Sequence, residues 1–154
     1  MIAAGRELQA ALAWLTDTMA QARDDWWLIG SAAVMLHGAE PGGIADIDVL
    51  LSETDARRIL PMLGLPVAEG PPDSRFASQV FASWHAALLP VEFMAGLRQR
   101  AGGAWQPVLP SSRVEVVGEG WQVFVPERAE LAAILRSFGR PKDLRRLAAL
   151  EALP

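Results

Sequence analysis

Residues 44–52 read IADIDVLLS, with two carboxylates one residue apart inside an otherwise apolar run. On a strand, residues i and i+2 share a face. Asp46 and Asp48 then stand side by side, while Ile47 points to the opposite, core-facing side. Upstream, the apolar run from Trp26 to Ile29 stops at Gly30-Ser31, and helical spacing resumes from Ser31 to His37 before Gly38. The chain therefore alternates strand, turn, helix, loop and strand within 26 residues (26–51). Such an alternation demands a sheet with helices against it.

The remaining spacing extends this pattern. Leu8, Leu12, Leu15 and Met19 predict an amphipathic helix over about 5–22. The PGG at 41–43 is a loop, Asp46–Leu51 a strand, and Ser52 with Asp55 opens a helix over about 53–63 that Pro61 frays early. Residues 64–75 read as loop around a short strand. Two strands are expected over 75–85 and 87–94, then an irregular loop over 96–112. A hairpin spans 113–117 and 121–125. Pro126 opens a helix to Phe138, Gly139 ends it, and a last helix from Pro141 runs to about Leu153. The expected fold class is α/β (α+β), a short mixed sheet flanked by helices with C-terminal helices. One domain is expected over 1–154, with a core at 26–125 and a helical part at 126–154.

Composition narrows the chemistry. With no cysteine, thiolate catalysis, disulfides and Cys-based zinc sites are excluded. A net charge of −4 argues against broad nonspecific nucleic-acid binding. No apolar run reaches the roughly 18 residues of a membrane helix, and MIAAGRELQAALAWL lacks the pattern of a signal peptide. A cytoplasmic protein with no membrane partner is the expectation.

Two adjacent carboxylates repel, and a divalent cation resolves the repulsion; oxygen donors suit Mg²⁺ or Mn²⁺. A third acid is the usual complement. Glu92, inside the apolar stretch LLPVEFMAG, is the best candidate, because a lone acid there is costly. Gly30-Ser31 ends a strand and opens a helix, a geometry that aims backbone N–H groups at a phosphate. The plainer readings are that an Asp caps a turn, that Gly30 makes the bend and that Ser31 caps the helix.

Taken together, GSAAVMLHG, DIDVLLS and the C-terminal FGRPKDLRRLAAL resemble the DNA polymerase beta-like nucleotidyltransferase superfamily, within it the small bacterial AbiEii-like branch. The resemblance implies transfer of a nucleoside monophosphate from an NTP to a hydroxyl or phosphate acceptor (an RNA end, a protein or a small molecule). It implies Asp46, Asp48 and Glu92 as catalytic metal ligands for Mg²⁺ or Mn²⁺, with Glu92 also helping to deprotonate the acceptor. Gly30 and Ser31 would hold the β/γ-phosphates, with Arg140 and Lys142 facing the triphosphate or, for either, pairing with Asp143. A cognate partner protein, as in a toxin–antitoxin pair, belongs to the same implication. The sequence departs from the pattern at Gly42 and Ile44, where the family often has Arg and Thr, and at Leu135, where it commonly has Lys. These departures leave the acids in place and alter the phosphate-binding set. They motivate the alternative of a catalytically degenerate nucleotide- or partner-binding module.

Other residues read as structure. His37 caps or packs, His85 has no motif near it, and Arg145 and Arg146 fall on a solvated helix face. Trp27 and Trp84 are core residues or a stacking face for a base. An incidental D-x-D would show the three carboxylates more than about 10 Å apart, beyond the reach of a metal pair.

Overall fold

The apolar stripe of the first helix decides how the chain begins to pack. In the computed structural model, which describes residues 2–71, 73–85 and 89–154, α1 spans Ile2–Met19. It buries Leu8, Leu12, Leu15 and Met19 on one face. It ends earlier than the spacing suggested, because Ala22 N–H bonds to Met19 O at 3.0 Å and closes a turn. β1 (Trp27–Ile29), α2 (Gly30–Leu36), β2 (Ile47–Leu51) and α3 (Glu53–Met62) follow, with β2 starting one residue after the expected Asp46. Ser52 caps α3 by accepting from Asp55 N–H at 3.0 Å. Pro61 sits in the last turn of α3 without shortening it.

The middle of the chain differs from its reading. Residues 75–85 split into β3 (Phe76–Ala77) and β4 (Val80–Trp84), since the first pairs away from the second. No strand lies in the described part of 64–75. Its backbone is instead pinned to β4 by Phe81 N–H on Ala68 O at 2.8 Å. β5 (Val91–Ala95) starts only after Pro90, and the beginning of the expected 87–94 strand lies outside the described residues. The supposed loop at 96–112 contains a hairpin, β6 (Arg98–Ala101) and β7 (Ala104–Pro107). Gly102 and Gly103 turn it with φ of 60° and 80°, the positive pair that a tight two-residue hairpin requires. β8 (Val114–Gly118) and β9 (Trp121–Val125) form the expected hairpin. α4 (Arg128–Phe138) ends at Gly139 in the left-handed region, and α5 (Pro141–Glu151) closes the fold.

The fold is α+β around a four-stranded mixed sheet of order β1-β2-β5-β4. β2 and β5 run parallel, with β1 and β4 antiparallel on the outside. Alternation gives the sheet two different faces. One presents Ile47, Val49, Val91 and Phe93, all at 0 % exposure. These pack in a large cluster with α1, α3, β9 and the C-terminal helices. Burying each such side chain contributes about 1.5–3 kcal/mol. The other face carries Ile29, Leu50 and Met94, which join Leu97, Phe76 and Phe138 in a smaller cluster. The carboxylates belong to this second face. Among the described residues no helix is long and apolar enough to cross a membrane.

Candidate active site

Parallel pairing is what assembles the acids. Asp48 of β2 and Glu92 of β5 are register partners, so their side chains emerge next to each other on one face. Asp46 precedes β2 by one residue and lies on the same side as Asp48. One carboxylate oxygen from each of the three residues lies within 4.8 Å of the others. That is well inside the separation at which the D-x-D would be incidental.

Gly30 completes the packing behind them. Its φ is +71°, and a Cβ added there would stand 2.7 Å from Asp48 Oδ2. The glycine is needed for its backbone angle and because it leaves room for the carboxylate. Ser31, buried at 4 % exposure, lines the same cavity. Among the described residues its hydroxyl makes no side-chain hydrogen bond.

The electrostatics are those of acids whose burial and mutual repulsion outweigh the nearby cations. Burial, then the charges of Asp46 and Glu92, push the Asp48 carboxyl up to about 7; Lys142 and Arg146 oppose the shift. Glu92 is likewise pushed up to about 7 by burial and by the Asp46 carboxylate. Among the described residues none of the three is in a salt bridge. Three half-buried oxygen donors that repel one another fit a hard divalent cation such as Mg²⁺ or Mn²⁺.

The acids open into a cavity of about 360 Å³. The acids share it with Gly30, Ser31, Asp73, Ser78, Lys142 and Arg146 and with the apolar side chains of Phe76, Phe81, Met94, Leu97 and Phe138. Arg140 also lines the cavity, but its Nε and Nη2 are bound to Asp143 at 2.6 and 3.1 Å. It also lies 5.0 Å from the centre of the Phe76 ring. Arg140 thus pairs with Asp143 while it lies on the cavity wall.

No family model matches the sequence, and no curated protein does. Solved structures do match. The chain superposes on TM1012 of Thermotoga maritima, a candidate nucleotidyltransferase, with a TM-score of 0.71 at 22 % identity, covering 93 % of this chain and 91 % of that one. Lincosamide antibiotic adenylyltransferase LnuA, in its lincomycin-bound structure, gives 0.60 at 11 % identity, with 97 % of each chain covered. The antibiotic-resistance factor ANT(2'')-Ia gives 0.54 at 13 % identity, covering 97 % of this chain and 81 % of that one. The chain has a nucleotidyltransferase fold.

Within this fold several residues take places that the sequence reading did not give them. Arg146 faces the cavity, not solvent. The i, i+4 spacing from Lys142 is a signal that could have shown it. The apolar side chains of the cavity come from four separate segments and have no local signature. Trp27 and Trp84 offer no stacking face to the cavity: Trp27 Nε1 donates to Ser112 O at 2.9 Å, and Trp84 stacks on Trp14 at 4.9 Å. His37 is structural, with Nε2 at 2.8 Å from Pro126 O.

Proposed function

We propose that this protein transfers a nucleoside monophosphate from an NTP to a small-molecule acceptor. The observation that carries the reading is the convergence of Asp46, Asp48 and Glu92 in one cavity. In this reading the three acids hold Mg²⁺ or Mn²⁺. The metal would polarise the α-phosphate and stabilise the attacking and leaving oxygens. Gly30 and Ser31 give close approach and a free hydroxyl to the β/γ-phosphates, with Lys142 as a neighbouring cation. Glu92 takes the proton of the acceptor hydroxyl. The new bond joins the acceptor oxygen to the α-phosphorus, and the bond to the β-phosphate oxygen breaks, so pyrophosphate leaves with the electron pair. Arg140 acts indirectly, by fixing Asp143 at the start of α5.

A small molecule is favoured over an RNA end or a protein hydroxyl because the acids share one cavity with the apolar side chains of Phe76, Phe81, Met94, Leu97 and Phe138. The adenylyltransferase neighbour with bound lincomycin supports the same class. An AbiEii-like branch and a toxin–antitoxin partner rest on the sequence motifs alone.

The test is transfer of radiolabelled NMP from each NTP to a panel of hydroxylated and phosphorylated small molecules. Labelling is expected only with Mg²⁺ or Mn²⁺ and is expected to vanish in Asp48→Ala. Metal-dependent NTP binding with no labelling of any small molecule, RNA or protein would instead favour the binding-module reading, to which Gly42 and Ile44 point.

A further inference from the structure

The three-stranded sheet β3-β6-β7 presents an open edge. Among the described residues no strand pairs with the outer side of β7, and its residues are exposed from Ala104 to Pro107. The ladder decides what that edge offers. Val108 N–H bonds to Leu97 O at 2.8 Å. Directly opposed residues of an antiparallel ladder alternate between bonded and non-bonded pairs. Arg98–Pro107 and Arg100–Trp105 are therefore non-bonded pairs, which suits a proline with no N–H to give. The N–H and C=O of Trp105 and the C=O of Pro107 then point away from β6, into the open edge.

Trp105 shares a sheet face with its cross-strand partner Arg100 and with Arg98. The guanidiniums of Arg98 and Arg100 lie 5.8 and 5.4 Å from the centre of its ring. Both charges thus lean over the edge strand. Arg98 Nε is buried with no hydrogen-bond partner, and among the described residues neither arginine is in a salt bridge. Neither arginine nor Trp105 lines the cavity of the acids. A chain of net charge −4 therefore carries a cationic edge around a 38 % exposed tryptophan.

A charged edge discourages pairing with an identical edge, since a second copy would add its own arginines to these. A nucleic-acid strand would meet the charges, but it has no peptide donors and acceptors to match Trp105 and Pro107. An acidic peptide strand satisfies both. We propose that β7 is a docking edge for an extended acidic segment of a partner protein, which adds as an antiparallel strand and sets its carboxylates against Arg98 and Arg100. The residue opposite Trp105 exchanges both backbone hydrogen bonds with it and turns its side chain to the arginine face. The acids of the segment therefore recur at every second residue. This docking does not depend on the nucleotidyl-transfer reading.

The experiment is fluorescence anisotropy of a labelled peptide in which Glu alternates with Val, titrated with the full chain. Saturable binding is expected, weakening as salt rises. Arg98→Ala/Arg100→Ala should weaken it at least about tenfold. Arg100→Glu, a change at an exposed position, should lose the Glu peptide and gain the matching Lys peptide. Backbone N-methylation separates strand addition from charge attraction alone. Methyl groups on the Glu nitrogens block the bonds to β7 and should abolish binding. Methyl groups on the Val nitrogens face away and should leave it within about twofold. No binding by the wild type at millimolar concentrations overturns the proposal, as does equal binding of the two methylated peptides or wild-type binding by a folded double-Ala variant. Tighter binding of a single-stranded oligouridylate, lost in the same double variant, assigns the face to nucleic acid and overturns it too. So does a dimer of the free chain that Trp105→Ala returns to monomer.

Discussion

Asp55 is a buried carboxylate and Asp48 a half-buried one, and the fold treats them in opposite ways. Asp55, at 0 % exposure, lies in the first turn of α3. Burial pushes its carboxyl up, but the backbone N–H groups of Asp24 and Arg23 and the Arg58 guanidinium outweigh this and hold it below the usual range. Their distances are 2.9, 3.1 and 3.0 Å. Asp48 has burial without such donors, and Asp46 and Glu92 add repulsion. One acid is consumed by architecture; the other has its coordination left open. Burial alone therefore says little about role. The number of donors facing the oxygens separates a structural carboxylate from one kept for a ligand.

Breaking the first region should have the largest effect on stability. Asp55→Ala strands two backbone donors and Arg58, and is expected to cost about 2–4 kcal/mol in denaturant unfolding. If it costs less than Asp48→Ala in the metal-free protein, the contrast between the regions fails.

Breaking the second region should do the reverse. Asp48→Asn removes a charge that burial and the neighbouring acids disfavour, so the metal-free protein should gain on the order of 1–3 kcal/mol at pH 8. The gain would be read as a rise in Tm. Mg²⁺ should raise the Tm of the wild type and leave that of Asp48→Asn unchanged. A variant both less stable and still metal-responsive would contradict the assignment.

The pH profile sharpens the comparison further. Asp48 and Glu92 have raised pKa values, so their contribution to metal-free stability is full below about pH 4 and lost as pH rises through about 7. Asp55 has a lowered one, so its contribution is present above about pH 4 and lost on further acidification. Unfolding measured from pH 3 to 8 should show both limbs. Asp48→Asn should flatten the neutral limb and leave the acid limb in place.

The smallest expected effect is at the glycine behind the site. Gly30→Ala combines a strained φ of +71° with a Cβ against Asp48 Oδ2. It should cost about 1–2 kcal/mol and weaken Mg²⁺ binding by displacing the carboxylate. An Ala variant with wild-type metal affinity would show that the glycine serves the turn alone.

Much of this was legible beforehand because it depends on short-range periodicity. The strand–Gly-Ser–helix unit, the acidic strand, the last hairpin and the two C-terminal helices all follow from spacing and caps within a few residues. The β6–β7 segment reads as loop although Gly102-Gly103 carries a hairpin signal, because the flanking RQRA and AWQP lack strict apolar alternation. The Phe76–Trp84 stretch reads as one strand because nothing local shows that its two halves pair with different partners.

The sequence by itself determined which face Asp46 and Asp48 share, since a period of two leaves no choice, and it singled out Glu92 as an acid too costly to bury without purpose. Only the tertiary structure decided that Glu92 stands opposite Asp48, because the β2–β5 register joins residues 44 positions apart. It alone brought Lys142 and Arg146 to the cavity of the acids. Local spacing fixes the direction in which a side chain leaves its own element. Which groups meet it there depends on long-range pairing and packing, and these decide whether a buried charge finds donors, other acids or an open cleft.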